Sequence, residues 1–110
     1  MTKNITRDLF GVTVQVNKDG LLRLNDIHEA AGGVVAKSPP RWLANKSTKD
    51  LIAADENLRV EMSQGGDNKG TYASEDLAIA YGMWISAEFY DQVIEAFKAL
   101  VRGEIQASNS

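Results

Sequence analysis

Apolar and polar residues alternate from Leu9 to Val16, with Phe10, Val12, Val14 and Val16 set against Gly11, Thr13 and Gln15. A period of two sends successive side chains to opposite faces, so the stretch predicts a strand with one buried side. Asn17-Lys18-Asp19-Gly20 is turn chemistry, and Leu21 to Leu24 returns as a second strand, giving an N-terminal β-hairpin. Asn25 is an N-cap residue type for a short helix from Asp26 to Ala31, with Asp26 and Glu29 near the positive end of its dipole. Gly32-Gly33 closes that helix.

Ser38-Pro39 opens a second helix, the serine as cap and the proline at the first helical position, running to about Asn45. Ser47 caps a third, with Asp50 in the capping-box place and Leu51, Ile52 and Leu58 as its apolar members. Alternation resumes from Leu58 to Met62. A polar loop with three glycines follows, Gln64-Gly65-Gly66-Asp67-Asn68-Lys69-Gly70, and then a short strand, Thr71 to Ala73. These predict a hairpin with a long tip. Ser74 caps the next helix, in which Leu77, Ala78, Tyr81 and Ile85 recur at helical spacing. Ser86 interrupts, and Phe89, Val93, Phe97 and Leu100 mark a last helix that Gly103 ends, with a frayed tail over 104–110. The order is two strands, three short helices, a hairpin and two helices: an α+β fold.

Composition narrows the class. The 110 residues suffice for one domain, 1–110, with its core at about 9–101, and contain no internal repeat. The absence of cysteine excludes disulfides and thiolate metal sites, and one histidine argues against zinc. No apolar run approaches the roughly 20 residues that span a bilayer, and Met1 to Asn4 is polar, so no membrane association and a reducing cytosol are expected. The net charge of −3 argues against nucleic acid, but it is unevenly spread. Residues 1–74 carry ten basic and nine acidic side chains, whereas 75–110 carry two and six. Lys37, Arg41, Lys46 and Lys49 lie in a stretch, 37–49, without an acid. Screening confines exposed charges to about 8 Å, so this local excess outweighs the sum.

Two segments carry the chemistry. The helices at 26–31 and 39–45 with their short polar link resemble a helix-turn-helix, and the later hairpin a wing, although many α+β domains share that order. With Trp42 and Leu43 facing the core, Ser38, Arg41, Asn45 and Lys46 turn to solvent. Arginine and asparagine pair bidentately with guanine and adenine edges, and lysines such as Lys37 and Lys49 suit phosphates. The same face also reads as an ordinary solvated helix surface. In the loop, Gly65 and Gly66 let backbone amides approach a phosphate, and Gln64, Asn68 and Lys69 can reach sugar or base. A plain flexible hairpin tip is the alternative there. His28 has no Ser, Cys or second His beside it and reads as structural. No carboxylate pair is arranged for acid–base work, so no catalytic residues are assigned. Tyr72 and Trp84 read as packing.

Asp19-Gly20-Leu21-Leu22-Arg23-Leu24-Asn25-Asp26-Ile27-His28-Glu29-Ala30-Ala31, then Trp42-Leu43, then Gly70-Thr71-Tyr72, then Trp84-Ile85-Ser86-Ala87-Glu88-Phe89, follow the order found in KilA-N domains. The resemblance spans about residues 9–101. Such domains occur in phage, prophage and large DNA virus proteins and are similar to the APSES DNA-binding domains of fungi. The resemblance implies a winged helix-turn-helix-like fold and double-stranded DNA as partner. In the APSES relatives a glutamine before paired glycines is a prominent contact, and Gln64 occupies that place. The family's prolines after Gly-Thr-aromatic and after Trp-Ile-Ser are replaced by Ser74-Glu75 and Ala87, which are packing and capping positions.

The expected function is therefore non-enzymatic duplex DNA binding, sequence-specific or sequence-tolerant, in phage or prophage regulation or host interference. The expected place is the cytoplasm of a bacterial host, at the nucleoid. No cofactor, metal or small-molecule substrate is expected, and a homodimer or a further C-terminal domain both stay open. The alternative is a protein-interaction module that keeps the fold with weak or no DNA binding.

Overall fold

The computed structural model describes residues 5–9, 11–66 and 68–103. The chain opens with strands β1 (Ile5–Leu9), β2 (Val12–Val16) and β3 (Leu22–Arg23), and α1 (Leu24–Ala30) follows without a break. A 3₁₀ turn (Val35–Lys37) leads to α2 (Pro39–Leu43) and α3 (Lys46–Ala54). The hairpin β4 (Val60–Ser63) and β5 (Gly70–Ala73) comes next, then α4 (Glu75–Ile85) and α5 (Ala87–Val101). The α+β expectation holds: among the described residues, five α-helices accompany one antiparallel sheet in the order β1-β2-β3-β5-β4. The expectations for Phe10, the Phe89 side chain and the tail 104–110 fall outside what is described.

The N-terminal hairpin is a three-stranded meander. The single strand expected over 9–16 is two strands, because Gly11 takes a φ of 89° and returns the chain so that Leu9 pairs with Val12. β1 left no alternating pattern in the sequence because Ile5, Thr6, Arg7 and Asp8 are all exposed. Its place is set by pairing with β2, and an exposed Arg7–Glu75 ion pair of 2.6 Å reaches from it to α4. β3 is only two residues long because Leu24 and Ile27 are drawn into the core as the first turn of α1.

The core gathers Leu9, Val14, Leu22, Leu24, Ile27, Trp42, Ala73, Leu77, Ala78 and Tyr81. α1 packs on β2 and β5, and α4 packs on α1 and β3 while holding α5. Removing these apolar side chains from water contributes about 25 cal/mol per Å² and is the main term holding the helices to the sheet.

Several boundaries differ from expectation. α1 begins at Leu24 with Arg23 in the N-cap place, so Asn25 is not its cap; its side chain is used elsewhere. α2 ends at Leu43, and Asn45 is the extended residue before α3. Ser47 is thus inside α3 and caps nothing, while Asp50 pairs with Lys46 at 2.9 Å. Thr48 is buried and Ile52 packs on the core, whereas Leu51 is exposed and Leu58 precedes β4. Ser74 stands at the N-cap of α4, but its hydroxyl accepts from the Arg59 amide at 2.7 Å instead of capping the helix. On α5 only part of the apolar stripe is covered. Val93 packs on the core, while Phe97 and Leu100 are exposed. Trp84, read as packing, does pack against the core at the end of α4, where it is half-buried.

Candidate nucleic-acid interface

The acid-free segment is held by aromatic packing. Trp42 is buried, and its ring meets Tyr81 of α4 with centroids 5.2 Å apart. The Tyr81 hydroxyl donates to the Lys37 carbonyl at 2.6 Å, fixing the 3₁₀ turn before α2. Burial pushes the Tyr81 phenol well above its ordinary value of 10.0, so it stays a neutral donor. Tyr81 also stacks against Trp84, and the Lys37 ammonium lies 4.3 Å from that indole's centroid. Such a cation–π contact is worth about 0.5–1 kcal/mol at an exposed site. Lys37 is therefore already engaged in the unbound protein.

With Pro39 and Trp42 inward, Arg41 is exposed to solvent, and Ser38 and Asn45 are half-buried. The expectation that Arg41 and Asn45 share one helix face does not hold, because α2 stops between them. Asn45 instead opens α3, from which Lys46 and Lys49 project into solvent. Lys46 meets Asp50 across one turn, a surface pair of small energetic worth. Beyond the lysines, the loop before α2 exposes Val34 and Val35. His28 holds that loop, its Nε2 lying 2.7 Å from the Val34 carbonyl oxygen, in keeping with a structural histidine.

At the hairpin, Gln64, Gly65, Gly66, Asn68 and Lys69 are all exposed. The base of the loop is nevertheless fastened from within. Buried Tyr72 donates its hydroxyl to the Asn68 carbonyl at 2.8 Å, and Arg23 Nε donates to the Lys69 carbonyl at 2.9 Å. Burial raises the Tyr72 phenol pKa, with the Arg23 guanidinium pulling the other way. The two groups of expected site residues are linked through α1, whose N-terminal end meets the hairpin and which packs on α2.

Compared with protein-family models, the chain matches the KilA-N domain over residues 5–103. The chain belongs to the KilA-N domain family. Protein kilA of Escherichia phage P1 is 35% identical over 102 residues, covering 87% of this chain and 37% of that protein. This KilA-N chain thus spans little more than a third of the length of the curated relative it matches. None of the solved structures matches it. KilA-N is a family of DNA-binding domains in a phage context, one not typically enzymatic.

One feature of this KilA-N domain was missed by sequence reasoning. Arg23, Asn25 and Asp26 read as strand end, cap and first turn, yet Arg23 and Asn25 meet residues 46 positions away in the hairpin, and Asp26 ties Arg23 to the Gln15 amide of β2. The available signal was that Arg23-Leu24-Asn25-Asp26 and Gly70-Thr71-Tyr72 both belong to the family pattern. Among the described residues no His, Asp and Glu side chains gather as a metal site would need, and no helix is long and apolar enough to cross a membrane.

Proposed function

We propose that this domain binds duplex DNA without catalysing a reaction, in phage or prophage regulation or interference with a host. In this reading α2 and the start of α3 meet a groove, and the glycine-bearing tip lies beside them as the wing of a winged helix-turn-helix. Arg41 reads base edges, Lys46 and Lys49 meet phosphates, and Ser38 and Asn45 flank them; Lys37 joins them if it leaves the Trp84 face. Gln64, Gly65, Gly66, Asn68 and Lys69 form the wing contact. The supporting observation is that the run from Ala30 to Lys49 has no acidic residue and carries exposed Arg41, Lys46 and Lys49. The acids of 75–110 lie on α4, α5 and the tail, so the chain's negative sum does not fall on this run.

The test is a fluorescence titration with random duplex DNA at low and moderate salt. Counterion release makes log affinity fall with log salt by about 0.9 per phosphate neutralised, so steep weakening is expected. Negligible binding at low salt would overturn the proposal. The protein-interaction reading then takes its place, and it has one observation in its favour: α5 exposes Phe97, Leu100 and Val101.

A further inference from the structure

We infer that Arg23, Asn25 and Asp26 are positioning residues that set where the hairpin tip stands relative to α1, and so whether the tip can meet DNA together with α2. This rests on the DNA-binding proposal, which assigns no role to the three residues.

β3 ends at Arg23, opposite Tyr72, because the next residue enters α1. The ladder on β5 would stop there, leaving the Thr71 amide without a strand partner. Asn25 fills the place: its Oδ1 accepts from the Thr71 N–H at 2.8 Å. Side-chain oxygen thus stands in for the missing backbone carbonyl. Two residues earlier in the hairpin, Lys69 presents its carbonyl to Arg23 Nε at 2.9 Å. Arg23 is itself held, its Nη1 donating to Asp26 Oδ1 at 2.6 Å. The other oxygen of Asp26 accepts from the Gln15 amide of β2 at 2.8 Å. A continuous chain of hydrogen bonds therefore runs from the middle of the sheet, through the first turn of α1, to the return limb of the tip.

The Arg23–Asp26 pair is mostly shielded, with side-chain exposures of 16% and 14%. Shielding strengthens such a charge-assisted pair and gives it one geometry. Gly70 completes the joint. A Cβ there would lie 2.8 Å from both Arg23 Nε and Asn25 Oδ1, and its φ is 152°, so only glycine lets the hairpin approach this closely. Gln64 and Gly65 lie beyond this anchor, with Lys69 at it. β3 pairs with β5 at only two residues, and Arg23 and Asn25 extend that link towards the tip, with Asp26 holding Arg23 in place.

The experiment has two arms. In the free protein, amide exchange by NMR should show Asn25→Ala speeding exchange of the Thr71 N–H by about tenfold or more. The Ala78 N–H, bonded to the Ser74 carbonyl in α4, should keep its parental rate. In the second arm, Asn25→Ala and Arg23→Gln each lower duplex affinity about fivefold in the parent chain. Each lowers it by clearly less once Gln64, Asn68 and Lys69 are alanine, because only the backbone contacts of Gly65 and Gly66 are then left for a misplaced tip to lose. An unchanged Thr71 rate overturns the joint. Equal losses with and without the tip side chains overturn the positioning role alone, since they would mark a general effect on the fold. No parental binding at low salt overturns the DNA proposal itself, and the role with it.

Discussion

Tyr81 shows how one residue joins stability to the placement of a surface. Its phenol is buried, raised above the ordinary 10.0, and bonded to the Lys37 carbonyl. Below that value the phenol is neutral in folded and unfolded chains alike, and its contribution is fully present. As pH rises above it, the unfolded chain ionises first while the folded chain resists, so stability falls. Urea unfolding at about pH 8 and about pH 11 should show a larger loss for the parent than for Tyr81→Phe. Equal losses would mean that Tyr81 does not govern the alkaline limb. Gly70 is a second such residue. Gly70→Ala adds left-handed strain and a clash with Arg23 and Asn25, and a strained backbone of this kind costs of order 1–3 kcal/mol. A melting temperature unchanged from the parent would contradict that geometry. On the proposed DNA face, Arg41→Ala should cost about 1–3 kcal/mol on a selected site and much less on random duplex. Lys49→Ala should weaken all duplexes alike and make the salt slope shallower by about 0.9.

Among the elements, legibility followed burial. α4 was plain because Leu77, Ala78 and Tyr81 are all buried at helical spacing. The β4–β5 hairpin was plain because its glycine-bearing loop separates an alternating run, Leu58 to Met62, from a short strand, Thr71 to Ala73. β1 was invisible because none of Ile5 to Asp8 is buried, and the division between α2 and α3 was misplaced because Asn45 and Ser47 are equally good capping types. Tertiary demand for Thr48 and Ile52 decided that register. The hairpin tip carries its own test. Replacing Gln64, Asn68 and Lys69 by alanine should weaken duplex binding while shifting the melting temperature by no more than a few degrees, since exposed loop positions usually matter little for stability. Parental affinity in that variant would remove the tip from DNA contact.

Across the whole molecule, the family and the α+β class were legible, as was the uneven spread of charge. The joint between α1 and the hairpin was not, because its partners are far apart in the chain and side-chain to backbone hydrogen bonds leave no periodic trace. The uneven charge also bears on affinity: acidic α4 and α5 oppose DNA at long range, and low salt will extend both the attraction of one face and the repulsion of the other. The most direct measurement is an NMR titration of the assigned protein with a short duplex at low salt. Amide shifts are expected to concentrate at Arg41, Lys46 and Lys49 and, at the tip, at Gly65, Gly66 and Lys69, while Phe97 to Val101 of α5 stay unmoved. Shifts confined to α5, or none at all, would contradict the proposed interface.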